Sequence, residues 1–124
     1  MYIGTEKITP FFSIIIPSFN RAKTVGKAIE SIQQQSFTNW ECIIVDDGSV
    51  DNTKETVQSY INQDKRIRYI YQTNAERSVA RNNGIKNSTG EYICFLDSDD
   101  TYLPSHLEVL YNFIVKNVTV PCLL

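Results

Sequence analysis

The sequence predicts an α/β domain whose central sheet is mainly parallel. Four strongly apolar segments recur along the chain, and each is followed by a segment with apolar residues at helical spacing. Parallel strands need long crossover connections, which helices of this length provide, and such crossovers are right-handed. The predicted element order is therefore β-α-β-α-β-α-β-α.

The predicted strands differ in how deeply they are buried. Residues 11–16 (FFSIII), 41–45 (ECIIV) and 91–96 (EYICFL) are apolar runs typical of strands covered on both faces, and Pro17 is expected to end the first. Residues 66–71 (RIRYIY) alternate between polar and apolar, which indicates a strand nearer the edge of the sheet.

The predicted helices occupy residues 22–35, a segment from Asn52, residues 75–87, and a segment from Pro104. Asn52 and Glu55 have the spacing of a capping box at a helix start, and Pro104 suits a first helical turn. Gly84 is unfavourable inside the third helix.

Composition excludes several classes of protein. With 124 residues, 42% of them hydrophobic and 21% charged, the chain is expected to form one domain with a buried core. Twelve basic and fourteen acidic side chains give a net charge of −2, which argues against nucleic-acid binding. No apolar run reaches the ~18–20 residues that span a bilayer, and residues 1–10 lack the pattern of a secretory signal. We therefore expect a cytoplasmic protein with no transmembrane segment.

The cysteines and the histidine argue against a zinc site. His106 is the only histidine, and the three cysteines form no Cys-x-x-Cys pair. Cys42 and Cys94 lie inside apolar runs, so buried free thiols in a reducing compartment are expected.

Polar residues follow three of the predicted strands, where ligands of open parallel sheets bind. They are residues 17–20 (PSFN), 46–49 (DDGS) and 97–100 (DSDD), and the last two segments hold five of the fourteen acidic residues. Because clustered like charges repel, we expect a divalent cation such as Mg²⁺ or Mn²⁺ among them. The sequence has no glycine-rich phosphate loop, so a ligand diphosphate is expected to be held through the metal.

Some of these residues also have purely structural interpretations. Asp-Asp-Gly-Ser is good turn chemistry, because glycine permits positive φ and Asp or Ser can cap a helix. Phe19 fits either ordinary packing or a stacking surface for a base. Arg77 and Arg81, four residues apart, fit either a solvated helix face or contacts to a phosphate or base. Three carboxylates directly after the buried strand at residues 91–96 serve no packing purpose, which favours a functional interpretation.

Three segments form a set when taken together: residues 12–20 (FSIIIPSFN), residues 36–49 (SFTNWECIIVDDGS) followed by Asp51 and Thr53, and residues 90–100 (GEYICFLDSDD). In order and spacing they resemble the nucleotide-sugar half of family-2 glycosyltransferases of GT-A fold, over about residues 11–115. The resemblance implies a Rossmann-like three-layer sandwich. It also implies a nucleotide-diphosphate-sugar donor, most often a UDP-sugar, and a divalent metal ion, Mn²⁺ or Mg²⁺.

The resemblance implies roles for individual residues. Asp99 falls on the metal-binding carboxylate of the family's Asp-x-Asp motif, and Asp97 on the carboxylate that contacts the ribose or the metal. Asp47 matches the acidic residue that reads the base, and Phe19 matches an aromatic ring that stacks on uracil. Arg77 lies near a basic position that contacts the base or a phosphate. The remaining residues of the predicted nucleotide-sugar site are Pro17, Asn20, Asp46 and Ser98.

The resemblance also implies an inverting transfer to a hydroxyl group of a glycan or a lipid-linked acceptor. Such a transfer needs a carboxylate that deprotonates the hydroxyl, and in the family this base lies downstream, in an acceptor-binding half. Only 24 residues follow Asp100, and the sole acidic one is Glu108, on a predicted helix. We therefore expect an extension at residues 1–10, a donor-binding domain at residues 11–117 that is truncated after the Asp-x-Asp motif, and a tail at residues 118–124.

Without an acceptor half, the donor-binding domain is expected to expose the face that this half would cover. Such an exposed face is expected to favour self-association. A lipid-linked acceptor would place the protein at the inner face of the membrane, as a peripheral protein.

Two other functions fit parts of the sequence. Residues 97–101 (DSDDT) match the Asp-x-Asp-x-Thr motif of haloacid-dehalogenase-type phosphohydrolases, with Asp97 as nucleophile and Asp99 as acid/base. That family carries the motif near the N-terminus and needs a later lysine and acidic pair, whereas here only Lys116 follows. The other alternative is a non-catalytic nucleotide-binding module, which would bind the nucleotide without turnover.

Overall fold

The computed structural model describes residues 2–3, 6–7, 9–75 and 77–118, with side chains for residues 9–75 and 78–117. It has the predicted β-α order, preceded by a short ribbon that the sequence pattern does not predict. In this ribbon β1 (Tyr2–Ile3) pairs antiparallel with β2 (Glu6–Lys7). The predicted tail lies outside the described residues from residue 119 onwards.

The main sheet confirms the predicted parallel architecture. Its strand order is β5-β4-β3-β6, and every neighbouring pair is parallel. The strands are β3 (Phe12–Ser18), β4 (Trp40–Asp47), β5 (Ile67–Gln72) and β6 (Tyr92–Phe95). The chain extends the sheet from β3 through β4 to β5 and then crosses to the other side of β3 for β6. The strand order therefore reverses between β3 and β6. The prediction that residues 91–96 form a strand covered on both faces is wrong, because Ile93 and Phe95 of the edge strand β6 are exposed.

Helices lie on both faces of this sheet and make it the middle of three layers. They are α1 (Val25–Gln33), α2 (Thr53–Gln63), α3 (Arg77–Lys86) and α4 (His106–Val118). One core cluster joins strand residues such as Ile14 and Ile44 to residues of α1, α2 and α4. A second cluster, on the other face, joins Ile15 and Ile43 to Ala80 of α3.

Gly84 has a packing role in α3 that accounts for its place inside a helix. A Cβ atom at this position would lie 2.5 Å from the Ile15 Cγ2 atom, which is closer than real Cβ contacts. The glycine therefore lets α3 approach the sheet closely, and this packing outweighs its poor helix propensity.

Pro17 lies inside β3, although the sequence predicts that it ends the strand. It pairs with Val45 of β4. On the other side of β3, the Ile15 carbonyl accepts the Leu96 N–H at 3.0 Å. Backbone groups of every second residue face the same neighbour, so the nitrogen of Pro17 faces β6, which has already ended at Phe95. A proline is tolerated there, and it prevents β6 from pairing further along β3.

The start of α2 also differs from the prediction. Asn52 occupies the N-cap position, but its side chain makes no capping hydrogen bond, so the predicted capping box is wrong. Asp51 takes that role, because its Oδ1 atom accepts hydrogen bonds from the Thr53 N–H at 3.1 Å and from the Thr53 hydroxyl. These bonds, led by the one from the Thr53 hydroxyl, lower the pKa of Asp51.

Two cysteines lie within the described residues, and both are free thiols as predicted. Cys42 is buried and Cys94 is partly buried. Burial raises the pKa of both thiols, that of Cys94 to about 11. Cys122 lies outside the described residues.

None of the described helices combines the length and the apolar character that a membrane crossing needs.

Candidate functional site

A cleft of about 280 Å³ opens at the carboxyl ends of the parallel strands, beside the point where the strand order reverses. This volume is close to the lower end of the range for small-molecule sites, about 300–1,000 Å³. Residues from the ends of β3, β4, β5 and β6 line it, among them Pro17, Phe19, Arg21, Asp47, Asn74 and Ser98.

A smaller cavity of about 100 Å³ adjoins the cleft and is acidic. Asp97 and Asp99 line it, together with Pro17, Arg21 and Ser98, which also line the cleft. Ser98 is buried between the two exposed carboxylates that flank it in sequence. The cleft and this acidic cavity therefore share a wall.

Three carboxylates form a cluster at the acidic cavity. Asp97, Asp99 and Asp100 each offer one oxygen atom, and these atoms lie within 4.8 Å of one another. None of the three accepts a hydrogen bond from a described side chain, and the nearest described cation, Arg81, has Nη2 at 3.9 Å from the Asp97 Oδ1 atom. Their lone pairs are thus available, and a set of carboxylate oxygens suits a hard divalent ion such as Mg²⁺ or Mn²⁺. The sequence predicts Asp97 and Asp99 as ligands, and the structure adds Asp100 to the group.

Asp46 and Asp47 are neighbours in sequence but lie in different surroundings. β4 continues through both residues, so their side chains point to opposite faces of the sheet. Asp46 is buried, and its two oxygens accept hydrogen bonds from the Ser49 N–H at 2.9 Å and from the Tyr69 hydroxyl. It is not among the described residues that line the cleft, and its hydrogen bonds hold the loop after β4; its contact with a ligand stays a prediction.

Asp47 lines the cleft, as the prediction requires of a base-reading residue. Its Oδ1 atom accepts hydrogen bonds from the Gln72 amide at 2.9 Å and from the Ala75 N–H at 2.8 Å. These two bonds fix the carboxylate in place. The Oδ2 atom has no hydrogen-bond partner among the described residues.

Asn20 joins the loop after β3 to the loop after β4. Its N–H donates to the Ser49 Oγ atom at 2.8 Å, and its side-chain oxygen accepts the Val50 N–H at 2.9 Å. Its φ of 53° lies in the left-handed region, which asparagine tolerates better than most residues. Asn20 is not among the described residues of the cleft wall, and the structure shows this loop-to-loop contact; its ligand contact stays a prediction.

Comparison with known proteins adds to this geometry. The family model described as Glycosyl transferase family 2 matches residues 13–123. The chain belongs to this family. The phosphohydrolase alternative, which needs its aspartate motif near the N-terminus, does not fit, because the motif follows β6, the last of the four main-sheet strands.

Relatives within glycosyltransferase family 2 are considerably longer than this chain. An uncharacterized glycosyltransferase of Rickettsia felis is 45% identical over 105 residues, which are 85% of this chain and 17% of that protein. The GalNAc(5)-diNAcBac-PP-undecaprenol beta-1,3-glucosyltransferase of Campylobacter jejuni subsp. jejuni is 42% identical over 103 residues, 82% of this chain and 33% of that protein. Among solved structures, S. aureus TarS 1-349 in complex with UDP-GlcNAc aligns with a TM-score of 0.79 and 31% identity, covering 86% of this chain and 32% of that one.

Two residues of this candidate site were not predicted from the sequence. Asn74, in the loop after β5, lines the cleft and donates from its amide to the Asp47 carbonyl at 2.9 Å. Asn74 follows β5, so the same rule that selects residues at the carboxyl ends of the other strands also points to it. Arg21 lines both the cleft and the acidic cavity, and no motif in the sequence points to it. The predicted contact of Arg77 concerns a side chain outside the described part, and Arg77 itself begins α3.

Proposed function

We propose that this chain forms the donor-binding part of a metal-dependent glycosyltransferase. The enzyme would transfer a sugar from a UDP-sugar to a hydroxyl group of a glycan or lipid-linked acceptor, with inversion at the anomeric carbon. The observation that carries the proposal is the wall shared by the cleft and the acidic cavity, formed by Pro17, Arg21 and Ser98. A nucleotide in the cleft can therefore extend its diphosphate directly to the carboxylates.

The cleft end of the site suits a uracil base. Phe19 is 47% exposed and lines the cleft, so its ring is available for stacking. The Asp47 Oδ2 atom, which has no partner among the described residues, can accept a hydrogen bond from a base N–H. Asp47 is held by Gln72 and Ala75, so this acceptor is already oriented before the ligand binds.

The acidic end of the site suits the diphosphate and its metal ion. In this proposal Asp99 and Asp97, with Asp100 beside them, hold the Mn²⁺ or Mg²⁺ ion. When bound, the ion neutralises the negative charge that develops on the departing nucleoside diphosphate. The carboxylates are exposed, so both the ion and the diphosphate can reach them without a rearrangement of the core.

The transfer step itself needs a base that this part of the chain does not provide. The acceptor oxygen forms a bond to the anomeric carbon as the bond from that carbon to the β-phosphate oxygen breaks, through an oxocarbenium-like state. The acceptor proton passes to a carboxylate base. Glu108 lies on α4, accepts a hydrogen bond from the Ser36 hydroxyl, and is not among the described residues lining either cavity. We propose that the base lies outside the described residues.

Names of related proteins support the choice of donor and acceptor. TarS, which is 31–32% identical over the aligned part, has been solved in complex with UDP and, in a separate structure, with UDP-GlcNAc. The name of the Campylobacter jejuni relative specifies an undecaprenol-linked acceptor. A UDP-sugar and a lipid-linked or glycan acceptor are therefore the substrates that we propose for the complete enzyme.

The proposal is tested by calorimetric titration of the chain with UDP, with and without Mn²⁺. We expect UDP to bind more tightly with Mn²⁺, and D99N to abolish the metal-dependent part of binding because a ligand oxygen is lost. E91Q is the matched control, because it also changes an acid to an amide but lies just before the other end of β6. UDP binding by D99N as tight as that of the parent in Mn²⁺ would refute the role of Asp99. Binding of a UDP-sugar without its turnover would favour the non-catalytic alternative.

A further inference from the structure

We infer that Arg21 binds the donor diphosphate directly, an inference that rests on the proposed function. Arg21 lies in the loop between β3 and α1, and its side chain is exposed. Among the described side chains it is the only cation that lines the cleft, and likewise the only one that lines the acidic cavity.

The place of Arg21 between the two cavities matches the path of a diphosphate. In the cleft it shares the wall with Phe19 and Asp47, and in the acidic cavity with Asp97 and Asp99. When the base stacks in the cleft and the phosphates contact the carboxylates, the atoms that link the base to the phosphates pass between the two cavities. Arg21 borders that passage.

The guanidinium group of Arg21 also has no bonding partner among the described residues. It makes no hydrogen bond or ion pair with any described residue, whereas Arg66 pairs with Asp64 at 2.8 Å and Arg68 pairs with Glu41 at 2.9 Å. Arg66 and Arg68 are thus used by the fold. The planar set of N–H donors on Arg21 remains free, and it fits two phosphate oxygens at once.

The backbone around Arg21 is fixed from both sides before any ligand binds. The preceding residue, Asn20, donates to Ser49, and the following residue, Ala22, donates its N–H to the Asp51 Oδ2 atom at 3.2 Å. The carbonyl of Arg21 accepts hydrogen bonds from the two N–H groups at the start of α1, at 3.0 and 2.8 Å. Because the loop is already ordered, an interaction of Arg21 with a ligand costs little backbone entropy.

Charge balance gives a physical reason for a cation at this position. Three clustered carboxylates and a nucleoside diphosphate are all negative, and one divalent ion does not offset them. Arg81 lies 3.9 Å from Asp97 and faces the carboxylates rather than lining the cleft. Arg21 is placed to reduce the repulsion between the diphosphate and the cluster.

The inference is tested by measuring two ligands against three proteins. UDP and uridine are titrated into the parent chain, R21Q and K23Q in the presence of Mg²⁺, and binding is followed by NMR chemical shifts, which report even millimolar affinities. K23Q is the matched control, since Lys23 is an exposed cation two residues away and is not among the described residues lining either cavity. A thermal melt of each variant checks that the fold is retained.

We expect R21Q to weaken UDP binding by about tenfold or more, the usual loss for a hydrogen bond to a charged group. Its affinity for uridine, which has no phosphate, should stay unchanged, and K23Q should bind both ligands as the parent does. UDP binding by R21Q equal to that of the parent, or an equal loss for uridine and UDP, would overturn the role of Arg21 while leaving the donor site intact. A parent chain that binds neither ligand would overturn the donor site and this inference together.

Discussion

The carboxylates at the two ends of the parallel strands differ in burial and in hydrogen bonding. At the amino ends, Glu41 is buried and accepts hydrogen bonds from the Ser13 hydroxyl at 2.6 Å, from the Thr89 N–H at 2.6 Å and from the Arg68 guanidinium at 2.9 Å. At the carboxyl ends, the exposed carboxylates of residues 97–100 accept no hydrogen bond from a described side chain. Glu41 is bound by other groups of the protein, whereas the carboxylates of residues 97–100 are available to a ligand.

The difference follows from what each end of the sheet must do. Glu41 connects β4 to β5 through Arg68, to β3 through Ser13 and to the segment before β6 through Thr89, so it ties the four strands together. The carboxylates of residues 97–100 make only one long ion pair with the described residues, between Asp97 and Arg81 at 3.9 Å, and they repel one another. A binding site therefore differs from a structural network in two ways. Its polar residues have few partners within the fold, and they lie where the strand order reverses.

The largest expected effect is on stability, from replacement of Glu41. E41Q removes the ion pair of Arg68, which is partly exposed, and places an amide N–H₂ group against the donors of Ser13 and Thr89. We therefore expect a loss of about 2–3 kcal/mol in the free energy of unfolding. Urea denaturation measures this, with E91Q as an exposed control near the same end of the sheet. A change in E41Q as small as that in E91Q would mean that the Glu41 network contributes little.

Acid titration examines the same network. Burial alone would raise the pKa of Glu41, but the hydrogen bonds from Ser13 and Thr89 and the charge of Arg68 outweigh it and lower the pKa below 4.5. The unfolded chain therefore takes up this proton at a higher pH than the folded chain does. The stabilisation is complete above about pH 4.5 and is lost as the pH falls through the lowered value. We expect the stability difference between the parent and E41Q to shrink in that acid range; a difference that stays constant would contradict the assignment.

The next effect is on binding at the carboxyl ends. F19A removes the exposed ring from the cleft, and we expect UDP affinity to fall by about 1–3 kcal/mol, the range for lost base–aromatic stacking. F113A is the matched control, because Phe113 is 64% exposed on α4 and is not among the described residues of the cleft wall. Calorimetry with UDP measures both variants. An unchanged dissociation constant for F19A would return Phe19 to a packing role.

The smallest effect has the opposite sign to that of E41Q. D99N removes one of three repelling carboxylates, so in the absence of metal we expect the free energy of unfolding to stay the same or to rise by up to about 0.5 kcal/mol. Urea denaturation in a chelator measures this change. A clear loss of stability in D99N would show that the cluster has a structural role and would remove the contrast with Glu41.

The order of elements was predictable because it depends on local signals. Apolar runs, turn residues and helical spacing are all visible in the sequence, and they gave the α/β order correctly. Pro17 and Asn52 were misjudged for reasons that lie outside their own segments. Pro17 continues β3 because β6 has already ended beside it, and Asp51 rather than Asn52 caps α2 because its carboxylate reaches Thr53.

The site was predictable as a place but not in its individual contacts. The sequence shows which residues follow a strand, so it predicts that Asp47, Phe19 and Asp99 meet at one edge of the sheet. It does not show which way a side chain points, so it could not reveal that Asp46 and Asn20 hold loops. Arg21 matters only because two cavities meet beside it, and no linear pattern encodes that.

The pairing of β6 with β3 has a consequence for how the protein folds. β3 and β4 are joined by a single helical crossover, whereas Phe12 and its partner Tyr92 are separated by most of the chain. Closing so long a loop is entropically costly, so pairing across it is slower than pairing between near neighbours. During synthesis on the ribosome, β3, β4 and β5 can associate before residues 97–100 have emerged. The carboxylate cluster then reaches its place after these three strands, and α4 follows it along the chain.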